Sequence, residues 1–160
     1  MLIFAVDAAT YAMPPRLLNT EERKIMTMET WLTGENVLVS GGTQGLGAAI
    51  ALAAAGRGAG AVTITGRSDE AGRQLAEELE AAGTSAQFLR TDLSDVSQAR
   101  ASVAAAIERF GHLDCAVNAA GVTARGTMLD TTPELFDTHI AVNLKSPFFI
   151  MADTIRHLRD

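Results

Sequence analysis

From Asn36 onward, short aliphatic runs alternate with longer amphipathic stretches in a steady beat. The runs Asn36–Ser40, Ala61–Thr65, Ala86–Arg90 and Leu113–Asn118 are rich in β-branched and aliphatic side chains, as buried strands are. Between them, apolar residues recur at helical spacing. Gly45–Ala55 puts Leu46, Ile50 and Ala53 on one face, and Asp69–Ala82 does the same with Ala71, Leu75, Leu79 and Ala82. A third helix, capped by Ser94 or Asp95 and running to Phe110, turns Val96, Ala99, Val103, Ile107 and Phe110 toward a core. Gly83 and Gly111 are the stop signals. Four strands separated by helices imply βαβ units, right-handed crossovers and a parallel sheet. The expected fold class is α/β, a doubly wound parallel sheet of which four strands and their helices are present.

Residues 1–33 do not share this beat. Met1–Val6 is apolar, Pro14-Pro15 follows, and then the charged Glu21-Glu22-Arg23-Lys24. This stretch reads as an N-terminal extension of little order, with Met26 or Met28 as an alternative start. Glu29–Gly34 is a lead-in to the first strand, and residues 34–160 form the domain.

Composition narrows the chemistry. A formal net charge of −6, with no local basic cluster, argues against a nucleic-acid backbone as partner. Cys115 is the single cysteine and sits in an apolar run, so no intrachain disulfide is possible and a buried small residue is expected there. No apolar run approaches the roughly 20 residues of a membrane span, and a reducing cytoplasm is the expected setting. His112, His139 and His157 are scattered, and no spaced ligand cluster accompanies them, so no metal site is expected.

In a sheet of this kind ligands bind beyond the carboxyl ends of the strands, and the residues just after each strand are informative. After the first comes Ser40, then Gly41-x-x-x-Gly45-x-Gly47, opening a helix. A glycine turn lets backbone approach a phosphate closely, and the helix N-terminus supplies unpaired N–H groups and positive charge. After the second comes Gly66-Arg67-Ser68. No carboxylate stands at Thr65 or Gly66 to read a ribose, and Arg67 suits a 2′-phosphate. After the third comes Asp92-Leu93, whose carboxylate can accept from an adenine amino group or simply cap the next turn. After the fourth, the small residues of Asn118-Ala119-Ala120-Gly121 leave room for a ribose and nicotinamide. Further on, Thr132 and Pro133 open a helix. Pro147 lies within the apolar pattern that follows and cannot donate back to the Asn143 carbonyl, which leaves that carbonyl free.

The ordered set of Gly41, Gly45 and Gly47, Gly66-Arg67, Asp92-Leu93, Asn118–Gly121 and Val142-Asn143-Leu144 resembles the short-chain dehydrogenase/reductase family. The resemblance implies a Rossmann-type fold that binds NAD(H) or NADP(H) and moves a hydride to or from a carbonyl or alcohol carbon. It also implies that Thr43, Gln44, Gly45 and Leu46 line the cofactor phosphates, and that Asp92 and Leu93 hold adenine. Asn118, Ala119, Ala120 and Gly121 would support the sheet and the nicotinamide ribose. Asn143 would belong to the catalytic set, its carbonyl holding a water in a proton relay. Arg67 tilts the cofactor toward NADP(H), with NAD(H) as the other option. The pattern departs from the family at Ala119, where a second asparagine is usual, and in a slightly long turn from Gly56 to Gly60.

The family's serine, tyrosine and lysine lie beyond the Asn143 segment, whereas the only tyrosine here is Tyr11. The expectation is an oxidoreductase whose cofactor-binding part is inactive alone and forms a homo-oligomer when complete. The alternative is a non-catalytic protein that binds a nucleotide or a partner chain. A methyltransferase on the same sheet type is disfavoured by Asn118–Gly121 together with Asn143.

Overall fold

The structure is a computed structural model and describes residues 4–6 and 31–159. Five strands form one sheet: β1 (Phe4–Val6), β2 (Asn36–Ser40), β3 (Ala61–Gly66), β4 (Ser85–Arg90) and β5 (Cys115–Asn118). Their spatial order is β1-β5-β2-β3-β4. β2 lies in the middle and pairs in parallel with β3 on one side and β5 on the other. The chain therefore steps outward through β3 and β4 and then returns across β2 to lay down β5. That reversal makes the gap beyond β2 and β5 the switch point where such sheets bind ligands.

The four parallel strands are those the sequence pattern predicts, within a residue or two at their ends. β1 is an addition to them. It runs antiparallel along the outer edge of β5, with Phe4 opposite Val117 and Val6 opposite Cys115. Residues 1–3 and 7–30 of the predicted extension lie outside the described residues. The lead-in is fastened down: Leu32 N–H donates to the Arg57 carbonyl and Gly34 N–H to that of Gly58.

The helices are α1 (Gly45–Ala55), α2 (Asp69–Ala81), α3 (Val96–Phe110), α4 (Pro133–Ile140) and α5 (Ser146–Arg159). Their starts follow local chemistry. Ser68 accepts from the Ala71 N–H, Asp95 from the Ser97 N–H and Thr132 from the Leu135 N–H, each satisfying a donor the first turn leaves unpaired. Between α4 and α5 the backbone widens into a π turn, Ala141–Lys145, in which Ser146 N–H bonds to the Ala141 carbonyl.

Side chains alternate across each strand, so the sheet has two distinct faces. On one, Val37, Val39, Val62, Ile64 and Val117 pack under α1 and α2 with Ala51, Ala54, Leu75 and Leu79. On the other, Leu38 and Ala116 pack with Ala99 and Val103 of α3, Val142 of the π turn and Ile150 of α5. The buried stripe of α1 is Gly47, Ala51 and Ala54 rather than the predicted Leu46, Ile50 and Ala53. The helix is alanine-rich all round, so its apolar pattern does not fix the rotation, and Leu46 ends up 64% exposed.

Candidate functional site

The glycine turn after β2 is held between its two neighbour strands. Gly42 N–H donates to the Thr65 carbonyl of β3, and Ala119 N–H, just beyond β5, donates to the Ser40 carbonyl. Space is tight on the protein side. A Cβ at Gly41, where φ is 74°, would lie 2.6 Å from the Ala120 Cα. A Cβ at Gly47 would lie 2.1 Å from the Gly41 carbonyl oxygen, so only glycine lets helix and turn close on each other. The outer side is different. Gly45 has φ 55° and open space where a Cβ would point. Gln44 makes no side-chain cap, and the first turn of α1 carries no acidic residue. Its free N–H groups, with Thr43, Gln44 and Leu46 around them, form an uncrowded cradle fit for a phosphate.

Arg67 and Asp92 stand just past the ends of the neighbouring strands β3 and β4, both exposed. Asp92 Oδ1 accepts from the Ser94 N–H at 2.9 Å and the Ser94 hydroxyl at 2.8 Å. These bonds hold its carboxyl below the usual range, and the Arg67 charge adds to the effect. Leu93 goes elsewhere: its side chain is 6% exposed and packs with Leu38 and Val103. Only its backbone remains for any contact with an adenine.

Asn118 is buried, and its Oδ1 accepts from the Ser40 hydroxyl at 3.1 Å, bracing β5 against β2. Among the described residues its Nδ2 has no partner, and neither does the buried hydroxyl of Thr65. Ser40, Thr65 and Asn118 occupy one register row at the carboxyl ends of three adjacent strands. Ala119 and Ala120 are half-buried and Gly121 is exposed, so the loop beyond the row is low and open.

Asn143 sits in the π turn with its side chain facing this loop. Its Nδ2 donates to the Val122 carbonyl and its Oδ1 accepts from the Val122 N–H, both at 2.8 Å. The amide thus pairs with both backbone groups of Val122, as a neighbouring strand would. Pro147 lies in the first turn of α5, just after this π turn.

The structure therefore gathers Gly41, Thr43, Gln44, Gly45, Leu46, Gly47, Arg67, Asp92, Asn118–Gly121 and Asn143 along the carboxyl end of the sheet. Sequence reasoning missed three parts of the arrangement: the Ser40–Asn118 bond, the grip on Val122, and a bond from the buried Ser146 hydroxyl to the Leu93 carbonyl. Polar residues ending otherwise apolar runs were the available hint for the first. The histidines lie apart. His112 faces Asp114, His139 bonds the Leu135 carbonyl and His157 accepts from the Leu113 N–H. Burial pushes the Cys115 thiol up to about 11, so it is no nucleophile at neutral pH.

The short chain dehydrogenase family matches residues 35–160. Versicolorin reductase 1 of Aspergillus parasiticus is 36% identical over 129 residues, covering 81% of this chain and 49% of that protein. Elsinochrome reductase 1 of Elsinoe fawcettii is 36% identical over 127 residues, covering 79% and 48%. Among solved structures, a short chain dehydrogenase from Burkholderia cenocepacia in complex with NADP superposes with a TM-score of 0.76 at 35% identity, covering 79% of this chain and 51% of the other. A blue fluorescent protein from a metagenomic library, in complex with NADPH, gives 0.74 at 30% identity, covering 78% and 51%. The chain spans about half the length of the curated relatives it matches. Sequence, sheet order and strand-end residues agree: this chain belongs to the short-chain dehydrogenase family.

Proposed function

We propose that the chain is the cofactor-binding part of an oxidoreductase that takes NADP(H) in preference to NAD(H) and works on a small carbonyl or alcohol substrate. The observation that carries the cofactor choice is Arg67. It stands exposed at the end of β3, where Thr65 and Gly66 provide no carboxylate to hold an unphosphorylated ribose. The NADP and NADPH bound by the two structural neighbours support the same choice.

The residues fit a dinucleotide in an ordered way. The open side of Gly45 and the first N–H groups of α1 receive the pyrophosphate, with Thr43, Gln44 and Leu46 beside it. Arg67 faces the 2′-phosphate, and Asp92 with the Leu93 backbone flanks adenine. The Asn118–Gly121 loop leaves room for nicotinamide and its ribose, and Asn143 fixes that loop through Val122. When bound, the nicotinamide supplies or accepts the hydride. Asn143 is the one member of the catalytic set in this sequence, with its carbonyl offered to a relay water. On this reading residues 1–160 bind cofactor but do not turn over a carbonyl substrate alone. Exposed Phe136, Ile140, Leu144 and Phe148, one helical turn apart, support association of this face with a second copy.

Fluorescence titration of the chain with NADPH and NADH, before and after Arg67→Gln, tests the assignment. NADPH is expected to bind more tightly, and the variant to lose about tenfold for NADPH with NADH unchanged. Tighter NADH binding by the unaltered chain would overturn it.

A further inference from the structure

Ser146 is wholly buried where the π turn meets α5, and its hydroxyl donates to the Leu93 carbonyl at 2.6 Å. Helical hydroxyls commonly return this bond to their own preceding turn, as Ser102 does to Ala99 and Thr154 to Ile150. Ser146 instead reaches 53 residues back along the chain, to the loop after β4. Its N–H meanwhile closes the π-type bond to Ala141. Three residues earlier, in the same turn, Asn143 grips Val122 of the loop after β5.

β3 and β2 lie between β4 and β5, so the two loops follow non-adjacent strands, although Leu93 and Val122 share one hydrophobic cluster. No strand pairing connects them directly. Ser146, the first residue of α5, and Asn143, three residues earlier in the π turn, reach the two loops by hydrogen bonds.

We propose that Ser146 is a positioning residue that couples the two ends of the cofactor site, the adenine end through the Leu93 carbonyl and the nicotinamide end through the π turn and Asn143. The proposal rests on the NADP(H) reading above. A ligand that orders the Asp92-Leu93 loop fixes the acceptor of the Ser146 hydroxyl. Ser146 cannot then shift without breaking a buried hydrogen bond, so the π turn is fixed in turn and Asn143 holds Val122 more firmly. Coupling of this kind is reciprocal in binding free energy, so a nicotinamide fragment tightens the adenine end by the same factor. A hydroxyl that merely supports the fold affects stability without linking the two ends.

The Val122 amide is a direct reporter, since its N–H donates to Asn143 Oδ1. Its hydrogen exchange is measured in the 160-residue chain with and without adenosine 2′,5′-bisphosphate, which carries adenine and the 2′-phosphate but no nicotinamide. The fragment is expected to slow Val122 exchange several-fold while the core amides of Val39 and Ile64 stay unchanged. In Ser146→Ala the fragment still binds, but the slowing at Val122 disappears and NADPH affinity falls about fivefold, the loss of one ordinary hydrogen bond. A fragment that binds the unaltered chain and leaves Val122 unmoved overturns the coupling, and that result stands even if Ser146→Ala does not fold. A variant that folds and keeps the slowing overturns it too. Failure of the unaltered chain to bind either the fragment or NADPH overturns the NADP(H) reading and the coupling with it. The titration separates that failure from the first two.

Discussion

Beneath α1 and α2 the sheet presents Val37, Val39, Val62, Ile64 and Val117, whereas beneath α3 and α5 it mixes Leu38 and Ala116 with Ser40, Thr63, Thr65 and Asn118. The first face is sealed by apolar packing, mostly aliphatic with the Phe88 ring at one side. The second is threaded by side-chain hydrogen bonds, Ser40 to Asn118 and Ser146 to the Leu93 carbonyl among them. Area removed from water acts without direction, while a buried hydrogen bond fixes one arrangement. The apolar face therefore suits holding the fold, and the mixed face suits holding the site in place.

The largest test of this division is Leu79→Ala on the apolar face. Leu79 is fully buried among Val62, Ile64 and Leu75, so the change is expected to cost about 3 kcal/mol in urea unfolding. A loss below about 1 kcal/mol would mean the apolar face collapses around the gap and carries less than its share. Thr65→Val on the mixed face is smaller and of opposite sign. Its buried hydroxyl has no partner among the described residues, so the near-isosteric valine is expected to raise stability by about 1 kcal/mol in the same measurement. A comparable loss would show that the hydroxyl is satisfied in solution by a bound water.

The smallest effect is at the rim of the mixed face. Asp153 of α5 accepts from Arg100 Nε of α3 at 2.8 Å and also pairs with Arg156. The Arg100 hydrogen bond lowers its carboxyl below the ordinary 3.8, with Arg156 adding to this. A carboxylate depressed on folding contributes fully above its unfolded value and is lost as pH falls through the folded one. Thermal melts of the chain and of Asp153→Asn should therefore differ by a constant small amount above about pH 5 and converge as pH drops below about 4. A difference unchanged down to pH 2 would remove the ion pairs from the account.

Much of the site was legible because it rests on local rules. The glycine spacing, the missing carboxylate before Arg67, Asp95 as a cap and Thr132 ahead of Pro133 each depend on neighbours within a turn. The rotation of α1 was not, because alanine on every side leaves helical periodicity without contrast, and Leu46 moved from a shared stripe to an exposed position. Leu93 was read as a cofactor contact; its side chain belongs to the core, which leaves that reading to its backbone. The Ser146 bond and the Asn143 grip join segments 53 and 21 residues apart. No short-range pattern encodes a pairing that depends on where two loops meet.

The place of β5 has a consequence for the order of assembly. β2, β3 and β4 are linked by short crossovers, so a contact such as Thr63 to Gln87 closes a loop of only 24 residues. The Ser40–Asn118 contact at the switch point closes one of 78. Loop closure grows costlier with length, and pairings of high contact order come late. The crevice between β2 and β5 is thus completed by the slower step, after one wing of the sheet can already exist. A ligand of that crevice would find it only on a chain that has passed that step, so its effect would fall on how long the finished molecule lasts rather than on how quickly it forms.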